Sequence, residues 1–510
     1  MQSTQRNLPV TDEKLQAAIP ELERLAHTAI TDRRIPGLAI GIVYKGKAVY
    51  LNGFGVREVG KPDLVDPDTV FQLASASKPL SSTIVSSLVS DGTVNWDDPV
   101  VKYDPEFQLS DPVVTSKVTI GDFFAHRSGL PGEAGNDLEM IGYKQETILE
   151  RLRFLQIAYP FREGYQYSNF GLTEGAVAAA KAAREPWAEI ARRRLFEPLG
   201  MTQTSMRYAD FVSRANRAHL HILVNNQWTP ALKRDADAQA PAGGASSNVR
   251  DLVQWLILEL ADGQFGGKQL ISQQALNLAR TPQAVRGKNS ETGLPDHYGF
   301  GWVLYYLPDS VFCMAHSGAF TLGAGTNVTL LPSEQLGIIA LGNAFPTGVP
   351  EAVAGSLLDL ARYGHVTKDW FAVYKNQFDE SFTVPRKRQI EKYANPPVPN
   401  VPALHLAAYI GTYCNNYIGK VEITATNGTL YLTRGVGQAP LPLRHWDGNT
   451  FLARPVPENP ALPGPVEFTI GPDGQASQVT LEELNGNGAG TGTVTRAKAE
   501  KTSASKVASL

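Results

Sequence analysis

Apolar residues recur at helical spacing in the first part of the chain and then at strand spacing. Residues 12–33 carry leucine and isoleucine at near-helical intervals, which predicts an amphipathic helix. Residues 38–44 and 48–52 are apolar runs separated by a short glycine-containing turn, a pattern typical of a β-hairpin. A second, apolar helix is predicted from Ser75 to a glycine stop at Gly92.

The central region, from about residue 110 to 365, alternates between helical and strand-like patterns. This alternation favours a mixed α/β domain over a helical bundle or a β-sandwich. The helical segments include 145–156, 171–183 and 249–261, and the strand-like segments include 299–306, 325–331 and 336–341.

The pattern changes after about residue 380. Five prolines and little apolar periodicity occur between residues 384 and 403, which indicates a linker. Short alternating strands follow, and Asn427-Gly428 and Asp473-Gly474 are hairpin turn signals between them. These strands predict a small antiparallel meander or barrel. The predicted division is residues 1–380 as the main domain, 381–402 as linker, 403–497 as the β module and 498–510 as a disordered tail.

Charge and composition narrow the function. The chain has 47 Lys and Arg against 50 Asp and Glu, a net charge of −3 without a basic stripe, so no nucleic-acid partner is expected. No apolar run is long enough to span a membrane. The N-terminus lacks the apolar stretch of a signal peptide, so the sequence predicts a cytoplasmic protein. The protein would be periplasmic or secreted if a leader was removed. Cys313 and Cys414 are expected to be free thiols, and neither a metal nor a cofactor is predicted.

The tetrapeptide Ser75-Ala76-Ser77-Lys78 is the first candidate catalytic motif. On a helix that begins at Ser75, positions i and i+3 share a face, so the Lys78 amine can reach the Ser75 hydroxyl. A serine nucleophile needs an adjacent base, and lysine can be that base only where burial or a helix dipole lowers its pKa. The same four residues recur at 503–506 in the predicted tail. Only the first copy lies between a strand-like segment and an apolar helix.

Tyr167-Ser168-Asn169 is the second candidate. It follows a glycine-containing turn and precedes a helix of small residues, so it is predicted to lie in a loop that faces a cleft. Tyr167 can relay protons between Lys78, Ser75 and a leaving group, while Asn169 can fix the lysine and a substrate carbonyl.

His316-Ser317-Gly318, at the edge of a predicted strand, is the third candidate. An inward-facing His316 imidazole can stabilise a tyrosinate or bind a substrate carboxylate, and Gly318 can admit a substrate backbone. A similar triplet, His297-Tyr298-Gly299, begins another predicted strand. Either histidine, taken alone, also fits an ordinary structural residue.

Taken in this order, the Ser-x-x-Lys, Tyr-x-Asn and His-x-Gly motifs resemble those of the penicillin-recognising serine hydrolases, in particular the class C β-lactamase branch. The segments HRSGLPG, PAGGASSNVRDLVQW and YGFGW extend the resemblance over roughly residues 15–365. The β module at 403–497 resembles the lipocalin-like domain that follows some peptidases of this group. The resemblance implies an α/β fold whose antiparallel sheet is flanked by helices, with a small C-terminal barrel-like domain.

The resemblance also implies roles for individual residues. Ser75 would be the acylated nucleophile, Lys78 its base, and Tyr167 the group that protonates the leaving group and activates the deacylating water. The backbone amides of Ser75 and Ala319 would form the oxyanion hole. Class C β-lactamases carry Lys-Thr-Gly as the third motif, and this chain contains no Lys-x-Gly. His-x-Gly is the form that the peptidase-like members carry.

The expected function is therefore a peptidase or amidase, similar to D-aminopeptidases or DD-peptidases, acting on a small-molecule or peptide substrate. A family VIII carboxylesterase and a weak β-lactamase are the open enzymatic alternatives. A catalytically silent module that binds β-lactams or another ligand is the non-enzymatic one. Assembly into a homo-oligomer is also left open.

Overall fold

A computed structural model describes residues 9–32, 34–230, 233–454, 462–485 and 490–497 of the 510-residue chain. The chain forms two compact units. The sheet unit comprises Met1–Asn136 and Lys144–Arg388, and the barrel unit comprises Asp137–Tyr143 and Gln389–Leu510. The predicted tail, and with it the second Ser-x-x-Lys copy at 503–506, lies outside the described residues.

The described strands belong to one large sheet, one barrel and three short ribbons. In chain order they are β1 Gly37–Tyr44, β2 Lys47–Gly55, β3 Phe71–Gln72, β4 Ile222–Val224, β5 Gln227–Thr229, β6 Ser246–Ser247, β7 Gln264–Phe265, β8 Lys268–Gln269, β9 Ala284–Lys288, β10 Pro295–Tyr298, β11 Val303–Tyr306, β12 Phe312–Phe320, β13 Ala324–Leu331, β14 Leu336–Gly342, β15 Gly411–Asn415, β16 Gly419–Thr426, β17 Thr429–Arg434, β18 Leu441–Asp447, β19 Thr450–Ala453, β20 Gly464–Ile470, β21 Ala476–Leu481 and β22 Thr493–Arg496.

The α-helices lie mainly in the sheet unit, joined by short three-ten and π turns. In chain order they are α1 Asp12–Thr31, α2 Ser77–Ser90, α3 Pro112–Lys117, α4 Ile120–Phe124, α5 Asn136–Met140, α6 Gln145–Arg151, α7 Asn169–Ala183, α8 Trp187–Ala191, α9 Tyr208–Ser213, α10 Val249–Leu260, α11 Gln273–Ala279, α12 Val349–Tyr363, α13 Trp370–Phe378 and α14 Val384–Lys392.

An eight-stranded antiparallel sheet forms the centre of the sheet unit, in the order β2-β1-β14-β13-β12-β11-β10-β9. Helices cover both of its faces. On β1, Leu38 and Ile40 pack into the core beneath α1 and α12, whereas a Cβ at Gly41 would lie against Val249 and Val253 of α10. Every residue of β1 is buried, as expected for a strand covered on both sides. The predicted α/β class with a helix-flanked antiparallel sheet is confirmed.

The first predicted elements are confirmed, with one correction at the second helix. Helix α1 and the β1–β2 hairpin lie where the apolar pattern predicted them. The helix predicted to begin at Ser75 begins instead at Ser77, and Ser75 lies in a preceding three-ten turn, Ala74–Ala76. The physical reason is that i to i+3 hydrogen bonds close this turn, from Ala76 N to Leu73 O at 3.2 Å and from Ser77 N to Ala74 O.

The segment predicted as a linker contains regular structure. Helix α14 spans Val384–Lys392, and a π turn at Asp379–Thr383 precedes it. Pro385 is the second residue of α14 and directly follows the π turn, and it lacks the N–H that a regular helix would pair there. The proline content therefore predicted an irregular segment where the chain forms a short helix.

Strands β15 to β22 close into an antiparallel barrel in sequential order, and β22 pairs with β15. The two predicted turns are present as hairpins: Asn427-Gly428 joins β16 to β17, and Asp473-Gly474 lies between β20 and β21. Asn427 and Gly428 have φ of +50° and +77°, which this tight turn requires. The barrel is thus observed, while its kinship with lipocalins stays a prediction.

The barrel unit also includes a segment from the first third of the chain. The Tyr417 hydroxyl donates to Asp137 Oδ1 at 2.5 Å, and Val436 N donates to Ile141 O at 2.9 Å. Gly435, with φ of +70°, lies so close that a Cβ would be 1.9 Å from Ile141 O. Residues Asp137–Tyr143 are therefore held by side-chain and backbone contacts with the barrel.

Two further expectations concern single features. Cys313 and Cys414 are both free thiols, the first buried and the second exposed, as predicted. Among the residues with described structure, no helix combines the length and apolar character needed to cross a bilayer.

Candidate active site

Ser75 lies in the three-ten turn Ala74–Ala76, between β3 and α2. The left-handed Ala74 makes this turn strained for a residue with a Cβ. Ser77 stabilises it on both sides, because its hydroxyl donates to Ala74 O at 2.6 Å and accepts from Ala245 N at 3.0 Å. The backbone therefore fixes the Ser75 hydroxyl at the start of α2.

Lys78 lies in the first turn of α2 with its side chain fully buried. Its Nζ is 3.1 Å from Ser75 Oγ, 2.6 Å from Asn169 Oδ1 and 2.9 Å from Ala242 O. Burial lowers the pKa of Lys78 to about 7, and the Glu133 carboxylate opposes this shift. A neutral amine has two N–H donors and one lone pair. In the neutral form, the two carbonyl oxygens, which can only accept, take the N–H groups, and this leaves the lone pair for Ser75 Oγ.

Tyr167 contacts the same hydroxyl from another direction. Its Oη donates to Ser75 Oγ at 2.8 Å, and its ring centroid is 4.5 Å from Lys78 Nζ. Burial raises the pKa of Tyr167 well above its ordinary value. The phenol is therefore neutral at physiological pH and able to donate a proton, while Lys78 is able to accept one.

The start of α7 places Tyr167 and Asn169 on either side of a helix cap. The Ser168 hydroxyl accepts from Gly171 N at 3.0 Å, so Asn169 becomes the first helical residue. The Asn169 amide then reaches Lys78 through its oxygen and donates from its nitrogen to Asn136 Oδ1 at 3.3 Å. Both hydrogen-bonding ends of this amide are occupied, which fixes its orientation.

His126, which was not singled out by sequence, holds the same segment. Its Nδ1 accepts from Ser168 N at 3.2 Å, and its carbonyl accepts from Gln166 N at 2.8 Å. Gln166 and Ser168, on either side of Tyr167, are therefore both hydrogen-bonded to His126, Gln166 to its carbonyl and Ser168 to its ring. Burial lowers the pKa of His126 well below its ordinary value, so the ring is neutral and its proton lies on Nε2.

His316 lies on β12 and is also neutral, because burial and the nearby Lys78 lower its pKa to about 3. Its Nδ1 is 2.7 Å from Ser317 O, an atom that can only accept, so Nδ1 carries the proton. Its Nε2 therefore accepts from the Tyr298 hydroxyl at 2.7 Å. Both ring nitrogens are occupied within the protein, and the His316 ring centroid is 6.4 Å from that of Tyr167.

Gly318 and Ala319 bring strand β12 alongside the turn that carries Ser75. A Cβ at Gly318 would lie 2.2 Å from Leu73 O and 2.3 Å from Thr326 Oγ1, which itself donates to Leu73 O at 2.7 Å. Because residue 318 has no side chain, the backbone of the turn that carries Ser75 can lie directly against β12. Ala319 follows it on the strand and pairs with Gly325 of β13.

The structure brings Ser75, Lys78, Tyr167 and Asn169 into direct contact and places His316 and Gly318 beside them. Sequence reasoning missed the roles of His126, Ala242 and Tyr298. His126 and Ala242 lie in HRSGLPG and PAGGASSNVRDLVQW, segments that were recognised without a function for any residue. Tyr298 lies in the competing His-Tyr-Gly triplet, where the tyrosine and not His297 contacts the site.

In the described part of the chain, no three His, Cys, Asp or Glu side chains come together as a metal site would require.

The fold of the sheet unit and the contacts of the Ser75 hydroxyl with Lys78 and Tyr167 point to the serine hydrolases of the Beta-lactamase fold. The chain belongs to the Beta-lactamase family, whose family profile matches residues 22–362. A second profile, a domain of unknown function (DUF3471), matches residues 395–491.

Curated relatives are similar over most of the chain. Unguisins hydrolase ungD of Aspergillus violaceofuscus is 25% identical over 491 residues, which cover 89% of this chain and 86% of that protein. Protein flp of Staphylococcus aureus (strain COL) is 24% identical over 356 residues, or 69% of this chain and 68% of that protein.

Two solved structures share the fold. The octameric penicillin-binding protein homologue from Pyrococcus abyssi has a TM-score of 0.59 at 21% identity, covering 91% of this chain and 98% of that one. SurE with D-Leu has a TM-score of 0.54 at 20% identity, covering 96% of this chain and all of that one. At these identities the likeness shows the fold alone.

Proposed function

We propose that the protein cleaves peptide or amide bonds through a covalent acyl-enzyme at Ser75. The observation that carries this proposal is the pair of contacts at Ser75 Oγ, with Lys78 Nζ at 3.1 Å and Tyr167 Oη at 2.8 Å. One partner is an amine whose pKa is lowered to about 7 by burial, so that a large share of it is neutral at that pH, and the other is a neutral phenol. The His-x-Gly motif and the name of the Aspergillus hydrolase agree with this function.

Acylation begins with proton transfer from Ser75 Oγ to the lone pair of Lys78 Nζ. The oxygen then attacks the acyl carbon, and the carbonyl oxygen takes up negative charge. We assign the backbone amides of Ser75 and Ala319 to that oxyanion, since donors at this position usually supply the largest stabilisation. As the tetrahedral intermediate collapses, Tyr167 Oη donates its proton to the leaving nitrogen.

Deacylation reverses these proton movements. After the amine departs, Tyr167 is a phenolate and Lys78 is an ammonium group. A water molecule gives a proton to Tyr167 as its oxygen attacks the acyl carbon. The Ser75–acyl bond then breaks, and Lys78 returns its proton to Ser75 Oγ. Both groups regain their starting protonation states, and the net reaction is hydrolysis.

The placement of Tyr167 favours amides over esters as the substrate. An amide nitrogen is a poor leaving group until it is protonated, whereas a phenolate or alkoxide leaves more readily. A neutral phenol within hydrogen-bonding distance of the nucleophile supplies that proton where the scissile bond must lie.

The test compares hydrolysis of a panel of L- and D-amino-acid anilides with hydrolysis of p-nitrophenyl butyrate, for the wild type and Ser75→Ala. We expect anilide cleavage that disappears in Ser75→Ala, and a mass increase on Ser75 equal to the acyl group. Ser87→Ala is the matched control, since this buried serine of α2 donates only to Ile84 O of its own helix.

Other outcomes select the alternatives. Ester cleavage without anilide cleavage, lost in Ser75→Ala, would replace the proposal with a carboxylesterase. Turnover of a β-lactam such as nitrocefin in preference to every anilide would select a β-lactamase. Acylation without turnover of any substrate would select the binding module.

A further inference from the structure

A cavity of about 510 Å³ lies in the sheet unit, bordered by strands β11 to β13 and helices α12 and α13. Ser75, Lys78 and Tyr167 are not among its lining residues, although the cavity reaches His316 and Ser317 of β12. The volume is within the range typical of small-molecule binding sites. The cavity is therefore large enough for a ligand that does not contact the nucleophile.

Glu351, in the first turn of α12, is a buried carboxylate on the wall of this cavity, with 5% of its surface exposed. Its Oε1 has no hydrogen-bond partner among the described residues, although the Ser317 hydroxyl bonds to the carboxylate. Burial raises the pKa of Glu351 to about 7. Arg286 and Lys288 of the edge strand β9 also line the cavity, but both are exposed and neither lowers the pKa of Glu351.

The remaining cations of the cavity wall are already paired. Arg362 forms a buried ion pair with Asp309, and Lys368 pairs with Glu291. No ion pair joins Glu351 to a cation within the part of the chain that the structure describes. A buried carboxylate without a cationic partner is costly in its charged form, and a positively charged ligand would supply that partner.

Aromatic rings also line the cavity. Trp370 and Tyr374 of α13 stack with ring centroids 5.7 Å apart, and both line the cavity. Trp370 lies against Gly355 of α12, where a Cβ would be 2.7 Å from the ring, and its Nε1 donates to Asp359 Oδ2 at 2.7 Å. Burial and the charge of Glu351 both raise the pKa of Tyr374, so the carboxylate and this ring are neighbours.

We propose that this cavity binds an organic ammonium group, with Glu351 as its counter-ion and Tyr374 as its aromatic neighbour, since the Lys368 ammonium already lies 4.1 Å from the centroid of the Trp370 ring. A carboxylate provides the ionic contact, and aromatic faces attract a desolvated cation. The ammonium group belongs either to a free amine or to a basic side chain of the substrate, because both present the same chemistry to Glu351.

Calorimetric titration of the full chain with benzylammonium chloride at pH 8 tests the proposal. Benzyl alcohol, a neutral molecule of the same shape, is titrated in parallel. We expect benzylammonium to bind at least about 10-fold more tightly than benzyl alcohol, and Glu351→Gln to remove that difference. Glu174→Gln is the matched control, because Glu174 is also a buried glutamate with an unpartnered oxygen but does not line the cavity.

A second variant separates loss of the site from loss of the fold. Ala354→Met, on the cavity wall, fills the space while it leaves Glu351 in place, and we expect it to abolish binding of both probes. Thermal melting confirms that each variant is folded. Equal affinity for the two probes, unchanged affinity in Glu351→Gln, or no heat of binding at millimolar benzylammonium would overturn the proposal.

Substrate-borne and free ammonium groups are distinguished by hydrolysis, and this arm alone rests on the proposed function. If the group belongs to the substrate, Glu351→Gln lowers kcat/KM for a lysyl anilide but not for a norleucyl anilide. If the ligand is a free amine, the variant changes kcat/KM for both anilides by the same factor. Absence of any hydrolysis by the wild type would refute the proposed function, while the binding titration would still test whether the cavity binds an ammonium group.

Discussion

Lys78 and Tyr167 acquire their proposed chemistry from burial. Water stabilises the charged forms of both side chains, so excluding it lowers the pKa of the lysine and raises that of the tyrosine. The result is a base and an acid that share one hydroxyl, Ser75 Oγ, at neutral pH. The chemistry proposed for the site therefore depends on the buried positions of Lys78 and Tyr167.

The pH dependence of hydrolysis follows from the pKa of Lys78. Below about pH 7 the amine is protonated and has no lone pair for Ser75, so we expect kcat/KM for an anilide to rise about 10-fold per pH unit up to that point and then level off. Glu133→Gln should move the midpoint to lower pH, since the Glu133 carboxylate raises the pKa of Lys78. A profile that is flat between pH 5 and 8 would contradict Lys78 as the base.

Removing either proton-transfer group should cost at least about 100-fold in kcat, the low end for a positioned acid or base. Lys78→Ala removes the proposed acceptor of the Ser75 proton, and Tyr167→Phe removes the proposed donor to the leaving group. For Tyr167→Phe, the loss should be larger with an anilide than with p-nitrophenyl butyrate, whose leaving group needs no proton. Steady-state kinetics on both substrates measure this difference, and equal losses would argue against Tyr167 as the acid.

Sequence reasoning found the residues that stand in recognisable motifs and missed those that act through position alone. Ser75 and Lys78 are three positions apart on the chain, so local spacing predicts their contact. Tyr298 reaches His316 from another strand, and Ala242 supplies only a backbone carbonyl to Lys78. Neither contact has a side-chain pattern that could have identified it, because strand pairing and loop packing create it.

The close approach of strand β12 to the turn before α2 determines where Ser75 lies. Thr326 of β13 donates to Leu73 O, and Gly318 of β12 passes against the same carbonyl. The sequence predicted strand β12 and helix α2 but not the distance between them, since a glycine in a strand is compatible with many neighbours. The three-ten turn was likewise missed, because the left-handed Ala74 carries no sequence signal.

Gly318→Ala tests this close approach. Its Cβ would lie 2.2 Å from Leu73 O, a backbone atom, so the turn that carries Ser75 must move. We expect a loss of about 1–3 kcal/mol in the free energy of unfolding and about 100-fold in kcat/KM. Gly325→Ala on the adjacent strand is the control, since its Cβ would meet no atom closer than 3.8 Å. Similar behaviour of the two variants in denaturant unfolding and kinetics would refute the argument.

At the scale of the whole molecule, the chain passes between its two units more than once. Composition predicted a boundary after about residue 380, and this boundary stays a prediction, while the barrel unit consists of Asp137–Tyr143 and Gln389–Leu510. Composition could not predict that Asp137–Tyr143 belongs to the barrel unit, because Tyr417 and Asp137 are 280 positions apart. Contacts over such separations leave no periodic signal in a single sequence.

A truncation after Arg388 should therefore affect more than the residues it removes. Asp137 loses the hydrogen bond from Tyr417, Ile141 O loses the one from Val436 N, and the Tyr143 hydroxyl loses its acceptor, Ile418 O, at 2.8 Å. Each lost bond is worth about 1 kcal/mol, and together they should raise amide exchange in this segment by at least about 10-fold. Hydrogen exchange measured by mass spectrometry on peptides covering this segment, in the full chain and the truncated one, tests the expectation. Tyr417→Phe removes only the first bond, so it should give an intermediate rate. Unchanged exchange in the truncated chain would mean that the sheet unit orders this segment alone.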